Sequence, residues 1–365
     1  MNPQPATQRN VKSLLAQAIH PLSDRVALDG ALQQLNPLWS TGSIRARILR
    51  RHEESPDTFS LLLKTNRHWP GHRAGQHVRL SVEMNGVIRQ RTFSLSSATG
   101  QAGMGTRRVR LTIQRQGDDG ATAWLHAHAK PGMVVELSRP DGQFVLPSPA
   151  PDQLLMIAGG SGITPLIAML QQLALNQYQG DIRFVQLCRQ EAHRLFPDEL
   201  TELGQQLPGL SVLVHASASK GRLPMQQLTT LIPDLAERYT LVCGPTSLMS
   251  DVSDLWQSLA EPPPLLMERF TAPRPAETSD GAFQVRLANS EQAFTQLQGN
   301  NLLESAEAAG LQPAYGCRAG LCRTCLCRKH HGAVRNLLTG QRSSQPDEWI
   351  QLCVSVAESD LELTL

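Results

Sequence analysis

Cys317, Cys322 and Cys325 stand at C-x4-C-x2-C spacing in one loop, and Cys353 answers them from near the C-terminus. Thiolates in that pattern hold a plant-type [2Fe–2S] cluster, a one-electron carrier. Zinc modules instead pair two short C-x2-C knuckles of equal rank or add histidines at fixed offsets. Here the loop would wrap one side of a two-iron cluster and the distant Cys353 would close the other. The small residues Gly316, Ala319 and Gly320 let backbone N–H groups turn toward the negatively charged sulfurs. A structural zinc site and buried cysteines without metal are the alternatives to the cluster. Cys327, two residues past Cys325, reads as a strand residue pointing away from the iron.

These cysteines belong to a chain of 365 residues, long enough for two or three domains with separate cores. A net charge of +2 gives no global argument for nucleic acid or an anionic membrane surface. Five of the seven cysteines crowd between Cys317 and Cys353, which reads as metal ligation in a reducing compartment rather than a disulfide framework. The N-terminus shows no basic region followed by an apolar run, so no secretory signal is expected. The most apolar stretch, Leu154 to Leu175, is interrupted by Gly159, Gly160, Gly162 and Pro165 and reads as strand–turn–helix rather than a membrane span. A cytoplasmic location is the resulting expectation.

The elements that must position this chemistry follow from periodicity. Residues 1–43 form a helical extension, with Val11, Leu14, Leu15, Ala18, Ile19 and Leu22 on one stripe and a second helix from Leu28 to Leu35, stopping at Asn36-Pro37. Packing on the main body and docking on a partner or membrane surface are both open to that extension. From residue 44 to 150, short alternating runs such as Ser43–Leu49, Thr58–Leu63, His77–Ser81 and Arg108–Ile113 predict an antiparallel barrel. Residues 151–272 alternate strand and helix. A Pro-rich polar linker follows (273–282), and residues 283–365 predict a hairpin, a short helix, the cysteine loop and a last strand.

Within the barrel lie Gly75-Gln76-His77, then Arg91-Thr92-Phe93-Ser94, then Gly120-Ala121-Thr122. This order resembles the flavin domain of the ferredoxin–NADP reductase family, whose signature is R-x-Y-S after a G-Q-Y/F strand. His77 and Phe93 depart from that pattern; Phe93 keeps a ring to cover the flavin but lacks the phenol hydroxyl. The resemblance implies that Arg91 pairs with a flavin phosphate, as a guanidinium fork suits, and that Ser94 reaches the hydride-accepting N5 region. Gly120, Ala121 and Thr122 match the helix start that holds the flavin pyrophosphate, which is more like the FAD-binding than the FMN-binding members.

Gly159-Gly160-Ser161-Gly162-Ile163-Thr164-Pro165 matches the same family's G-x-G-x-x-P turn, in which a helix N-terminus meets a nucleotide pyrophosphate. Pro165 is expected at the first helical position. Cys243-Gly244-Pro245 matches the nicotinamide-side motif, which implies that Cys243 lines the hydride-transfer site; a small buried strand-end residue is the plainer reading. Arg189 and Arg194 follow the second strand; no carboxylate ends that strand, although Glu191 lies between the two, and arginines there favour the 2′-phosphate of NADPH over NADH. Glu268, in Met267–Phe270, is implied as a proton relay near the flavin, against the plain reading of a solvated strand-end carboxylate.

The C-terminal segment resembles the β-grasp ferredoxin domain, and Cys317, Cys322, Cys325 and Cys353 are its cluster ligands by that resemblance as by spacing. The expected fold is therefore multidomain: an antiparallel β-barrel flavin domain, an α/β parallel-sheet nicotinamide domain and an α+β β-grasp ferredoxin domain. From Cys317 to Gln345 there are six Lys/Arg, two histidines and no Asp or Glu. The positive charge would either compensate the anionic cluster or steer an acidic partner; nucleic-acid binding is disfavoured because no aromatics interleave.

The resemblance implies an NAD(P)H oxidoreductase passing electrons through FAD and a [2Fe–2S] cluster to a protein acceptor. A membrane acyl (fatty acid) desaturase is the first-choice acceptor, with peripheral membrane association through that partner. The alternative is the reductase component of a ring-hydroxylating dioxygenase or monooxygenase. A flavin and iron–sulfur redox sensor, or a zinc-stabilised binding module, are the readings from other classes.

Overall fold

The computed structural model describes residues 25–84, 86–100, 107–118, 120–270, 282–316, 318–320 and 323–365. The apolar stripe expected from Val11 to Leu22 lies outside these residues. Helix α1 (Arg25–Leu35) ends where Asn36 and Pro37 require it to end. The chain after it is stitched to the barrel: Asn66 Nδ2 donates to Leu38 O (3.2 Å) and Ser43 O (2.9 Å), and Arg45 Nε donates to Pro37 O (2.6 Å). Of the two readings of the extension, packing on the main body is what its described part does.

Six antiparallel strands follow: β1 (Ile44–Ser55), β2 (Thr58–Thr65), β3 (His77–Met84), β4 (Val87–Ser94), β5 (Arg108–Gln114) and β6 (Val134–Leu137), in the spatial order β4-β3-β6-β1-β2-β5. An isolated Leu95–Leu111 bridge joins the end of β4 to β5 and closes the sheet on itself. Ile44, Ala46 and Ile48 point into the barrel with Leu61, Leu80 and Leu111, while Arg45 and Arg47 alternate outward. Helix α2 (Ala121–His128) packs Leu125 into the same interior.

Next comes a five-stranded parallel sheet of β7 (Gln153–Gly159), β8 (Asp181–Cys188), β9 (Leu210–Ala216), β10 (Tyr239–Gly244) and β11 (Leu265–Arg269), ordered β11-β10-β7-β8-β9. Leu154, Met156 and Ala158 of β7 face one core with α3 (Ile163–Leu175) and α4 (Pro197–Gln206). Leu155 and Ile157 face the other, with α5 (Thr246–Ser258). Helices on both faces explain why β7 reads as an unbroken apolar run. The strand order reverses between β7 and β10, and ligands of such sheets bind at the carboxyl ends beside that reversal.

The C-terminal unit is a mixed sheet of β12 (Gln284–Leu287), β13 (Ala293–Thr295), β14 (Leu326–His331), β17 (Glu348–Gln351) and β19 (Leu361–Thr364), ordered β13-β12-β19-β14-β17. A small sheet of β15 (Val334–Asn336), β16 (Arg342–Ser343) and β18 (Ser355–Ala357) lies beside it. Helix α6 (Leu302–Ala308) covers the core, its N-terminus closed by a reciprocal Asn301–Glu304 capping box. With β12 and β19 parallel and their other neighbours antiparallel, this is the β-grasp arrangement.

The turn after β7 differs in one detail from the sequence expectation. Gly160–Gly162 form a 3-10 turn before α3 begins at Ile163, so Pro165 is the third helical residue rather than the first. Its missing N–H is harmless there too, because the first turn's N–H groups have no intrahelical partner. Gly162 is fixed by proximity: a Cβ on it would lie 2.1 Å from Cys243 O and 2.7 Å from Gly244 N, all backbone. Gly162→Ala is therefore expected to destabilise the chain by about 1–3 kcal/mol, read as a fall in the denaturation midpoint. An unchanged midpoint would mean that the β7 turn and the end of β10 are not held in register by that contact.

Candidate functional site

A cavity of about 170 Å³ lies where the three units meet. Arg91, Thr92, Phe93 and Ser94 of β4 form one wall, Gln116 and Thr122 at the start of α2 a second, and Ser161 and Thr164 of the β7 turn a third. Glu268 from the end of β11 and Arg318 and Ala319 from the cysteine loop complete it. Gly120 precedes α2, and Gln116 N donates to Thr122 Oγ1 (3.1 Å), holding the loop over the open end of that helix. The free N–H groups of such an end suit a phosphate. Thr92 Oγ1 is buried without a hydrogen-bond partner among the described residues. A buried orphan hydroxyl on this wall fits a ligand bearing acceptors, as a flavin does. Arg91 donates to Gln90 O (3.0 Å), and its guanidinium carbon lies 5.5 Å from the ring centroid of Tyr315 in the C-terminal unit.

Behind this cavity a polar cluster is assembled across two sheets. Ser94 Oγ donates to Glu268 Oε2 (3.4 Å), and His77 Nδ1 lies 3.5 Å from Glu268 Oε1. The second contact is not aligned as a hydrogen bond, and His77 Nδ1 has no hydrogen-bond partner among the described residues. His77 and Ser94 are cross-strand neighbours on β3 and β4, while Glu268 is the register partner of Cys243 on β11 and β10. Glu268 is only 5% exposed, so the solvated strand-end reading is wrong. Burial pushes its carboxyl above the usual carboxylate range, with His77 and Ser94 pulling the other way. Burial also pushes the Cys243 thiol well up, and the charge of Glu268 adds to it. Cys243 is fully buried in the core beneath the turn and lines neither cavity, because at this strand end its side chain faces inward.

A second groove, of about 600 Å³, opens beside the first at the reversal point of the parallel sheet. Gly159, Gly160, Ser161, Gly244 and Pro245 form its floor, and Arg189, Ser217 and Arg222 its far end. Gln114, Gln116, Ser161 and Phe270 line both spaces, so a molecule in the groove reaches the cavity directly. Arg189 is exposed at the end of β8. Arg194 is not among the lining residues: its Nε donates to Gln186 Oε1 (3.2 Å), on the β8 side chain facing α4. The second guanidinium at the groove is instead Arg222, ion-paired with Asp251. Arg222 does not stand out in the sequence, since it reaches the groove through a loop remote from the motifs, and His77, though it sits in one, carries no sequence sign of its approach to Glu268.

Cys317 and Cys322 lie outside the described residues; Cys325 and Cys353 are both buried. Gly320 N donates to Cys353 Sγ (3.3 Å), and Gln351 Nε2 holds Gly320 O (2.9 Å). Gly320 takes φ +77°, and a Cβ there would meet Leu338 Cδ1 at 2.6 Å. This left-handed, tightly packed turn aims an amide at sulfur, as a cluster loop must. Cys327 faces the domain core on β14, as its strand position suggests. The basic run is compensated locally: Arg318 pairs with Glu307, Arg328 with Asp347, Lys329 with Glu348, and Arg335 and Arg342 with Glu358. Five of the run's six cations thus lie beside carboxylates from outside it.

A phosphate-ready barrel, a nucleotide groove at a sheet reversal and a thiolate loop around one cavity define an electron-transferring reductase. Residues 156–254 match the oxidoreductase NAD-binding domain family and residues 285–358 the 2Fe-2S iron-sulfur cluster binding domain family. The chain is 33% identical over 343 residues to an NADPH oxidoreductase of Mycobacterium tuberculosis, covering 92% of this chain and 88% of that protein. It is 25% identical over 323 residues to the glycine betaine monooxygenase reductase subunit of Chromohalobacter salexigens, covering 80% and 86%. Its fold is shared with phthalate dioxygenase reductase at a TM-score of 0.61 and 24% identity, over 89% of this chain and 98% of that one. The chain belongs to the ferredoxin–NADP reductase family, in the branch carrying a C-terminal [2Fe–2S] domain. It is an NAD(P)H oxidoreductase whose cofactors are a flavin and a [2Fe–2S] cluster. Among the described residues no helix is long and apolar enough to cross a membrane.

Because burial raises the Glu268 pKa, the folded chain holds that proton more tightly than the unfolded chain does. The stability it contributes is complete below the ordinary carboxylate value and falls as pH rises through the raised one. Glu268→Gln is expected to gain on the parent in thermal stability as pH rises from 5 to 8. A difference constant across that range would contradict the buried, proton-holding assignment.

Proposed function

We propose that the chain is the reductase component of an oxygenase system, taking electrons from NADPH and delivering them singly to an iron-containing oxygenase. The observation that carries this reading is the single cavity bordered at once by β4, the β7 turn, Glu268 and the cysteine loop. When bound, the flavin would take the electron pair of one hydride and release it as single electrons that the cluster can carry. FAD is the flavin the α2 start favours, because Gly120, Ala121 and Thr122 offer a helix terminus for a pyrophosphate. The floor Gly159–Ser161 and Gly244–Pro245 would seat the nicotinamide nucleotide, with the residues shared by both spaces setting the ring against the cavity. In balance, NADPH loses two electrons and one proton, and two equivalents of a one-electron acceptor are reduced. Glu268, with Ser94 donating to it, is placed to hold the proton beside the cavity while electrons leave.

Arg189 and Arg222 at the end of the groove support the 2′-phosphate nucleotide, as does the name of the M. tuberculosis relative. The acceptor class follows the glycine betaine monooxygenase reductase subunit. The acyl desaturase, first choice on sequence, yields here to the oxygenase alternative, because relatives such as the glycine betaine monooxygenase reductase subunit are named for oxygenase systems.

Replacing Cys353 with Ser tests the path. The variant is expected to keep NADPH oxidation with ferricyanide, which can accept at the flavin, and to lose at least about 90% of cytochrome c reduction. Equal loss of both, with flavin still bound, would contradict delivery through the cluster. In the parent, Arg189→Ala with Arg222→Ala should raise KM for NADPH by at least about tenfold, the loss of one charge-assisted contact or more, and leave KM for NADH nearly unchanged. An equal effect on both nucleotides would remove the NADPH assignment.

A further inference from the structure

Arg318 belongs by sequence to the cysteine loop and by position to the flavin cavity. Its backbone takes φ +57°, a left-handed conformation uncommon for a side-chain-bearing residue, and so turns the side chain out of the loop. Nη2 is ion-paired with Glu307 Oε1 of α6 (2.5 Å), and the guanidinium carbon lies 4.0 Å from the Tyr315 ring centroid. Arg91 of the barrel approaches the same ring at 5.5 Å. One phenol thus takes a cation from each side of the boundary between barrel and cluster domain. Arg318 Nε is buried without a hydrogen-bond partner among the described residues, and the cavity is the space the side chain borders. Two like-charged guanidiniums beside one cavity repel each other unless an acceptor or negative charge lies between them.

We propose that Arg318 completes the flavin site from the cluster domain, so that flavin binding and docking of the cluster domain on the barrel strengthen each other. Arg318 is a positioning residue for the electron step, and this role rests on the flavin-to-cluster reading above. Coupling of this kind is reciprocal: whatever the docked domain adds to flavin affinity, bound flavin returns to docking. A second docking contact, away from the cavity, is Arg79 Nη1 donating to Thr324 Oγ1 (2.9 Å). A cation at the cavity wall also favours the more negative, reduced flavin, so its removal makes the flavin harder to reduce.

The test uses the full chain with its cluster in place and measures flavin affinity by fluorescence at low and high salt, with no nucleotide or acceptor. A failure of electron delivery therefore leaves this result standing. Arg318→Gln is expected to weaken flavin binding about tenfold, roughly the loss of one charge-assisted contact, to flatten its salt dependence and to lower the flavin reduction potential. Arg318→Lys should recover part of each. Arg79→Glu, which breaks docking outside the cavity, should weaken flavin severalfold in the parent and much less in the Arg318→Gln background. If Arg318→Gln does not load the cluster, Glu307→Gln replaces it: the guanidinium stays but loses its brace, and a severalfold weaker flavin is expected. Parent-like flavin affinity and salt dependence in the variant measured would overturn the assignment and make Arg318 a brace of its own loop. Equal effects of Arg79→Glu in both backgrounds would overturn the coupling.

Discussion

Single-electron passage between two centres requires that they be held close, and in this chain the constraint is met where the cysteine loop packs against β4. Arg91 and Arg318 meet on Tyr315, Arg79 reaches Thr324, and Ala319 borders the same cavity as Ser94. The Arg91–Tyr315 and Arg79–Thr324 contacts join a barrel residue to the loop or to the segment leading into it, and Arg318 braces the same ring from within the loop. The barrel closure at Leu95–Leu111 fixes the end of β4, and the Gly320 turn fixes the loop. A shift in either would open the cavity wall, so the two remote cores serve one short junction.

The parallel sheet contributes through its reversal point. The β7 turn and the end of β10 approach so closely that Gly162 and Gly244 leave no room for side chains. That proximity floors the nucleotide groove, while the pairing of β10 with β11 sets Cys243 and Glu268 side by side. Keeping a carboxyl buried there is unfavourable for its charged form, and the fold accepts this by supplying Ser94 and His77 as neighbours. A solvent-shielded carboxyl whose proton is held more tightly than usual is a group that an exposed strand end could not offer.

Local motifs were the legible part of the sequence. The cysteine spacing, the Arg91–Ser94 strand and the turn from Gly159 to Pro165 each specify a short piece of backbone; periodicity separated the barrel from the alternating strand–helix region, and the resemblance to ferredoxins supplied the β-grasp. Properties that depend on remote partners were not legible. The basic run after Cys317 looks unopposed because its carboxylates, Glu307, Asp347, Glu348 and Glu358, come from outside the run. Arg194 reads like a phosphate ligand, yet Gln186 on the same strand claims it, and Arg222 arrives instead from the loop after β9. Cys243 sits in a nicotinamide motif but points inward, and His77 joins Glu268 only through the pairing of β3 with β4. Sequence motifs located the segments that line the two spaces; sheet register decided which of their side chains face them.

The most direct measurement is low-temperature electron paramagnetic resonance on the anaerobic, cofactor-loaded chain before and after NADPH is added. The account predicts that a silent sample acquires the signal of a one-electron-reduced [2Fe–2S] cluster while the flavin absorbance bleaches. Bleached flavin with a cluster that stays oxidised and silent would contradict the claim that electrons cross from the cavity to the cysteine loop within this chain.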